Sequence, residues 1–87
     1  MRIKVRYFAR FRSLIGTVEE ELEVPDGIRI GELLEMLKER HPELRNEVFA
    51  QDEDADVNVS RNGRYASFDE PLDDGDIVAL FPPVSGG

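Results

Sequence analysis

Hydrophobic and polar residues alternate at the start of the chain and predict its first strand. Within residues 2–8 every second side chain is apolar, and the positions between them are mainly basic. A repeat of two residues is typical of a half-buried strand. The face expected to be buried carries Ile3, Val5 and Tyr7. Apolar residues at 8, 11, 14 and 15 then fit a short helix, which Gly16 would end.

A second alternating segment, residues 17–24, is rich in glutamate. Val18, Leu22 and Val24 define its apolar face, and Glu20 interrupts that face. A charged residue on the inward side is typical of an edge strand. If this strand pairs with the first one, its glutamates would lie opposite Arg and Lys side chains and form weak surface ion pairs.

The clearest helix covers residues 30–40, where apolar residues recur three and four positions apart. They form one stripe made of Ile30, Leu33, Leu34 and Leu37. Arg29 is a weak N-cap residue, and His41-Pro42 ends the helix because the residue before proline disfavours helical geometry. Pro25-Asp26-Gly27 predicts a turn before the helix. A short helical turn is expected after it, at Leu44, Val48 and Phe49.

The second half of the chain predicts strands separated by turns. Residues 57–61 form a strand pattern, Asn62-Gly63 is a strong hairpin signal, and the chain returns briefly over 65–68. Residues 69–76 are rich in turn formers, and the apolar run at 77–81 is typical of a central strand. These elements predict an α+β domain in which a mixed sheet packs on one main helix.

Composition limits the functions open to this chain. Its 87 residues fit one domain, and 11 Lys and Arg against 19 Asp and Glu give a net charge of −8. That charge argues against nucleic acid and anionic membranes as partners. It fits either a basic protein partner or a purely solubilising role. Cysteine is absent, which excludes disulfides and a cysteine nucleophile. No signal-peptide core or membrane span is evident, so we expect a cytoplasmic protein.

Three groups of polar residues invite a functional interpretation, and a structural one fits them better. Asp52, Asp54 and Asp56 have the spacing of calcium ligands, but the glycine and final glutamate of a calcium loop are missing. We expect a solvated loop there. His41 lies at a helix end, where the helix dipole favours histidine. A further set is expected to form turns and keep the chain soluble: Asp69, Glu70, Asp73, Asp74 and Asp76.

The last six residues, 82–87, form an uncharged tail. No charged side chain occurs from Ile77 onward, although 34% of the chain is charged. The proline pair favours an extended path, and Gly86-Gly87 lacks Cβ atoms, so a partner could close around it and reach the carboxylate. Fully extended, the tail spans at most about 20 Å. We expect a folded body at 1–81 and a flexible tail that enters another protein's active site.

The chain resembles the MoaD family, which comprises the small subunits of molybdopterin synthase and the related archaeal ubiquitin-like modifiers. The ending Phe81-Pro-Pro-Val-Ser-Gly-Gly87 is the most specific match. Individually weaker matches occur in the same order as in the family. They are Val5 to Arg12, Gly31 to Leu34, His41-Pro42, Asn58-Val59, Arg61 to Gly63 and Asp74 to Asp76. The resemblance implies a β-grasp, ubiquitin-like fold.

The resemblance also implies that the chain is a protein co-substrate and not an enzyme by itself. An E1-like adenylyltransferase would use ATP to adenylate Gly87, and a sulfur donor protein would convert the adenylate to a thiocarboxylate. The large synthase subunit would pass that sulfur to a pterin precursor, and the chain itself would bind no cofactor. The exposed side of the last strand is a candidate anchor for partners. Tail contacts are expected from Phe81, Pro82, Pro83, Val84, Ser85 and Gly86.

Three other functions are open at this point. The chain could be a modifier joined through Gly87 to lysines of target proteins, alone or in addition to carrying sulfur. It could carry sulfur for another pathway, such as thiamin synthesis or tRNA thiolation. It could also be an interaction domain whose tail is inert.

Overall fold

The computed structural model describes residues 1–49 and 56–83. The elements within these ranges follow the predicted order. The strands are β1 (Arg2–Tyr7), β2 (Glu19–Glu23), β3 (Asn58–Arg61), β4 (Arg64–Tyr65) and β5 (Ile77–Phe81). The helical segments are α1 (Arg10–Ile15), α2 (Ile30–Arg40) and a 3₁₀ helix, Pro42–Asn46.

The apolar strand β5 lies in the middle of one mixed sheet, as its sequence predicts. The strand order is β2-β1-β5-β3-β4, with β5 parallel to β1 and antiparallel to β3. The register places Leu80 beside Tyr7 and Val59, so three buried side chains from three strands form one row. A mixed sheet that packs on one main helix in this order is the β-grasp fold.

β2 forms one edge of the sheet, and the predicted ion pairs with β1 are present. The Arg2 guanidinium lies 2.7 Å from the Glu23 carboxylate, and Lys4 Nζ lies 3.2 Å from that of Glu19. The prediction that Val18 faces the core is wrong. The strand begins at Glu19, two residues later than predicted, and Val18 in the preceding bend is 46% exposed.

α2 buries the predicted stripe against the sheet. Each member is at most 2% exposed: Ile30, Leu33, Leu34 and Leu37. Glu32 compensates for the weak N-cap, because its side chain accepts a hydrogen bond from the Arg29 backbone N–H at 3.0 Å. The helix ends before His41, as predicted. The 3₁₀ helix that follows buries Leu44, but Val48 is half exposed because the backbone is already extended at Glu47.

Asn62-Gly63 forms the predicted hairpin turn between β3 and β4. Their φ angles are +50° and +84°, which is the geometry of a two-residue hairpin that asparagine and glycine tolerate. The return strand is shorter than expected, since only Arg64 and Tyr65 pair with β3.

Two predicted regions lie outside the described residues. One is the acidic loop apart from Asp56, and the other is the end of the tail, residues 84–87. The division of the chain at residue 81 therefore stays a prediction. Among residues 1–49 and 56–83, no helix is long and apolar enough to cross a membrane. The same ranges contain no group of three His, Cys, Asp or Glu side chains that could hold a metal ion.

Candidate partner-binding site

The side chains of β5 point alternately to the two faces of the sheet. Val78 and Leu80 are fully buried in the core. Ile77, Ala79 and Phe81 lie on the opposite face, called the outer face here, and remain partly exposed. Apolar surface of this kind, continuous along a central strand, is typical of a contact site for another protein.

A groove runs along β5 on the outer face and has a volume of about 420 Å³. Its floor consists of Ile77, Ala79 and Phe81. One wall is formed by Arg6 and Phe8, and the other by Ser60 and the Asn62-Gly63 turn. The strand register explains the shape, because Ala79 pairs with Arg6 on one side and Ser60 on the other. Two small side chains therefore lie next to each other at its centre.

Aromatic residues mark the end of the groove where the tail begins. The rings of Phe81 and Tyr65 are 5.9 Å apart, and Tyr65 is 74% exposed. Tyr65 was not among the predicted site residues. The sequence nevertheless contains a signal for it, because a two-residue turn at Asn62-Gly63 fixes Ser60 opposite Tyr65 and so places both on one face.

The structure places three of the predicted tail contacts. Phe81 lines the groove, Pro82 is half-buried, and Pro83 is exposed. The backbone thus reaches the surface directly beyond the aromatic end of the groove. The other predicted site residues, Val84, Ser85, Gly86 and Gly87, lie outside the described residues.

A cluster of acidic side chains around Arg61 fixes the start of β5. Its guanidinium lies 2.8 Å from the carboxylate of Asp76, 3.0 Å from that of Asp73 and 3.2 Å from that of Glu70. These residues were expected to be turn formers and solubilising charges. The Asp76 N–H does close a turn by donating to the Asp73 carbonyl, but three of the five also form ion pairs that the sequence did not reveal, because Arg61 lies on a separate strand.

Asp76 is the buried member of this cluster. Burial alone would raise its pKa, but the hydrogen bonds it accepts outweigh burial and hold the pKa below the ordinary range. These bonds come from the Asp73 backbone N–H and from the side chains of Asn62 and Arg61. Asn62 Oδ1 also accepts a hydrogen bond from the Ile77 N–H. The cluster therefore ties the hairpin turn to the first residue of β5.

His41 has a structural role, as predicted for a helix-ending histidine. Its Nε2 lies 2.8 Å from Glu20 Oε1, which also accepts a 2.8 Å hydrogen bond from the Tyr7 hydroxyl. Partial burial would raise the pKa of Glu20, but these hydrogen bonds and the charge of Arg40 lower it below the usual value. The glutamate that interrupts the apolar face of β2 is thus satisfied by neighbours on β1 and at the end of α2.

Almost the whole chain, groove and tail included, matches one protein family. The ThiS family model covers residues 5–87. The chain belongs to the ThiS family. Its predicted β-grasp fold and its resemblance to sulfur carriers and small archaeal modifiers are both confirmed.

Two curated relatives of this ThiS family member represent the sulfur carriers and the small archaeal modifiers. One is the molybdopterin synthase sulfur carrier subunit of Escherichia coli, which is 40% identical over 86 residues and matched over 98% of this chain and 99% of its own. The other is small archaeal modifier protein 3 of Haloferax volcanii, which is 35% identical over the full length of both chains.

Two solved structures extend the comparison. A Pyrococcus furiosus protein assigned as molybdopterin converting factor subunit 1 is 56% identical, with a TM-score of 0.92 over 97% of this chain and 99% of its own. A Helicobacter pylori structure contains a complex of subunits 1 and 2 of molybdopterin-converting factor. The matched chain there is 26% identical, with a TM-score of 0.67 over the full length of both chains.

Proposed function

We propose that this chain is the sulfur carrier subunit of a molybdopterin synthase and carries its sulfur on Gly87. The observation that carries the proposal is the end-to-end similarity to the sulfur carrier subunit of E. coli. The absence of cysteine supports it, because sulfur cannot travel on a thiol of this chain. The terminal carboxylate is then the natural site of attachment, and the carrier would act in the cytoplasm.

The chemistry begins with a carboxylate, which is a poor electrophile because its oxygen is a bad leaving group. In the proposed first step, a Gly87 carboxylate oxygen attacks the α-phosphorus of ATP, and pyrophosphate leaves. The terminal sulfur of a persulfide on a donor protein then attacks the acyl carbon, and AMP leaves with its bonding electrons. A second thiol attacks the donor-side sulfur of the resulting acyl disulfide and forms a disulfide with the donor, and the sulfur on Gly87 is released with the bonding electrons. The product is a thiocarboxylate, whose ionised sulfur is the nucleophile for the next transfer.

The catalytic groups for these steps would lie in the partner proteins. An E1-like adenylyltransferase would activate Gly87, and the large synthase subunit would receive the tail and present the pterin precursor. The groove on the outer face would anchor the body while the uncharged tail enters the partner's active site. Ordering a flexible residue costs about 1–2 kcal/mol, so the groove has to supply affinity that the tail alone lacks.

Mass spectrometry after activation tests this function directly. The chain is incubated with an E1-like adenylyltransferase, ATP and a sulfur donor protein, and its intact mass is followed. We expect a gain equal to the exchange of one oxygen for sulfur, located on Gly87 by fragmentation. Deletion of Gly86-Gly87 should abolish that gain and leave the melting temperature unchanged. A one-residue extension beyond Gly87 should also abolish it, because the reactive carboxylate is displaced.

The E. coli carrier subunit serves as a positive control for the donor system. If that relative is converted and the present chain forms neither an adenylate nor a thiocarboxylate, the proposal is wrong. A thiocarboxylate at any position other than Gly87 would contradict the proposed site.

A second function, protein modification, is supported by the similarity to small archaeal modifier protein 3. In that case an amine of a target lysine would attack the activated acyl carbon of Gly87, and an isopeptide bond would form. Trypsin does not cut within the tail, which contains no Lys or Arg, so conjugates would carry a recognisable C-terminal peptide of this chain. Failure to find such branched peptides in cells that contain the activated chain would exclude this function.

A further inference from the structure

We infer that the groove recognises a specific pair of groups on its protein partner: an apolar side chain that fills the space over Ala79 and a carboxylate that binds Arg6. This inference rests on the proposed function, because it assumes that the synthase's large subunit docks on the outer face. It adds the chemical identity of the groups that the face selects.

The first half of the site is a socket at the centre of the groove. Ala79 has the smallest side chain among the three on the floor, and its pairing partner Ser60 is also small. Larger side chains surround this point, with Ile77 at one end and Phe81 at the other. A depression with apolar ends and a small-residue floor fits one aliphatic or aromatic side chain, since buried anchors in pockets dominate protein interfaces.

The second half of the site is Arg6, which stands in the wall beside Ala79. Its Nε is buried and has no hydrogen-bond partner among the described residues. The nearest carboxylate, that of Glu19, is 3.9 Å away, which is beyond hydrogen-bond distance. Glu19 lies closer to Lys4, at 3.2 Å. Arg6 therefore differs from Arg2 on the same strand, which binds Glu23 at 2.7 Å.

The position of Arg6 is suited to a partner's carboxylate. Its guanidinium lies over the ring of Phe8, 5.5 Å from the centroid, so it is held at the groove wall. Its Nε is buried, but the side chain as a whole is 43% exposed, and the two outer nitrogens are the donors that a partner would meet. An arginine fork binds a carboxylate through two parallel hydrogen bonds. Nucleic acid is a poor occupant, because a chain of net charge −8 with one available guanidinium in the groove repels polyphosphate.

A second copy of this chain is also a poor occupant. A twofold contact between two outer faces would bring the same patch of each copy together, so each Arg6 would meet apolar residues and another cation. Each copy also carries the same net charge of −8. The charge pattern of the groove thus favours a different protein with an acidic residue next to an apolar one.

Binding of four single variants to the cognate large subunit of molybdopterin synthase tests the inference. Ala79→Leu fills the socket and should raise Kd at least about tenfold. Arg6→Gln removes the cation and should raise Kd about fivefold to tenfold. Glu21 pairs with Lys4 in the charged part of the outer face, so Glu21→Leu adds the same side chain away from the groove. Arg2→Gln removes an arginine that is already paired with Glu23. Both of these controls should stay within about twofold of wild type.

Two further measurements exclude trivial explanations. Melting temperatures show whether the variants fold. If leucine at position 79 disturbs the sheet, Ala79→Val tests the same space with a smaller side chain. The Kd of the wild-type chain should weaken with added NaCl more steeply than that of Arg6→Gln, because only the wild type forms the ion pair.

The outcomes distinguish failure of the inference about the socket from failure of the proposed function. Suppose that the wild type binds and forms a thiocarboxylate on Gly87, but folded Ala79→Leu and Arg6→Gln bind equally well. The inference about the socket is then wrong, whereas the proposed role as a sulfur carrier is supported. If the controls weaken binding as much as the test variants do, the selectivity of the groove is also refuted. If the wild type does not bind the large subunit, both the inference and the proposed synthase role fail.

Discussion

Both faces of β5 carry apolar side chains, but one face is buried in the core and the other lines a groove at the surface. Leu80 is fully buried, pairs with Tyr7 and Val59 and completes the core. Phe81, the next residue, lines the groove and contacts the exposed ring of Tyr65. The apolar side chains of the inner face stabilise the fold, whereas those of the outer face stay partly exposed and, in the proposed function, contact a partner. Because side chains alternate along a strand, the two roles would be divided within five residues.

The outer face is itself divided into two regions. The part built by β1 and β2 carries opposite charges that pair across the strands. The part built by β5, β3 and β4 carries apolar or small residues, and Arg6 lies at the boundary. Because the charges of the first region are already paired with each other, we expect a partner to be recognised at the groove and the tail.

The largest expected effect is a difference in the free energy of unfolding between two adjacent substitutions, one on each face of β5. Leu80→Ala should lower the free energy of unfolding by about 2–5 kcal/mol, because it leaves a cavity in the core. Phe81→Ala should lower it by about 1 kcal/mol, the scale of one aromatic contact. Urea denaturation measures both values. The total for a chain of this length is about 4–13 kcal/mol, so Leu80→Ala is expected to be marginally stable.

Binding to the large synthase subunit should show the reverse order for the same two variants. Phe81→Ala should lose affinity while remaining folded, and the folded fraction of Leu80→Ala should bind normally. Equal losses of stability for the two variants would mean that Phe81 belongs to the core and that the faces are not separated.

The next effect concerns the polar cluster that holds the start of β5. Asp76→Ala should lower the free energy of unfolding by about 1–3 kcal/mol, because Asn62 and the Asp73 N–H lose a buried acceptor. Asp74→Ala is the control, since Asp74 is exposed and accepts one backbone hydrogen bond from Arg2. A variant Asp76→Ala as stable as Asp74→Ala would show that the cluster does not stabilise the fold.

Acid should weaken the wild type through Asp76 of this cluster and through Glu20. The pKa of Asp76 in the folded chain is below its ordinary value of 3.8, and that of Glu20 is below 4.5. The unfolded chain therefore binds protons first as pH falls, so stability is fully present above about pH 5 and declines below it. The decline measured by urea denaturation should be shallower in Asp76→Asn. An identical pH dependence would exclude Asp76 as its source.

The sequence predicts most of the fold because its signals are local. The stripe of α2, the Asn62-Gly63 turn and the apolar run of β5 each depend on spacing within one segment. The charges of β1 and β2 also predict that the two strands are neighbours, since basic side chains of one then lie opposite acidic side chains of the other. Val18 and Val48 were misplaced because both lie just outside element ends, where periodicity does not determine burial.

The site was predicted in part, and its missing pieces depend on contacts between distant segments. The exposed side of the last strand was expected to anchor a partner, but the socket requires the register of β5 with β1 and β3. Likewise, a single strand cannot reveal that Arg61 meets three carboxylates from the loop before β5. Residues that belong to different elements become a site only when the topology brings them together.

The smallest expected effect lies at the boundary between the two regions of the outer face. Glu19→Gln removes the partner of Lys4 and the distant carboxylate near Arg6. Stability should fall by less than about 1 kcal/mol, because the pair is exposed. Binding to the large subunit should tighten about twofold to threefold, since Arg6 becomes fully available and one charge that repels the partner's carboxylate is lost.

Glu39→Gln is the control that distinguishes an effect of Glu19 on Arg6 from an effect of net charge. Glu39 is exposed on α2 and has no ion pair in the described part of the chain, so its removal changes the net charge without touching Arg6. If Glu39→Gln tightens binding as much as Glu19→Gln does, the gain comes from net charge alone. A larger gain for Glu19→Gln that disappears in the background of Arg6→Gln would establish that Glu19 acts through Arg6, and so that the charged region tunes the groove beside it.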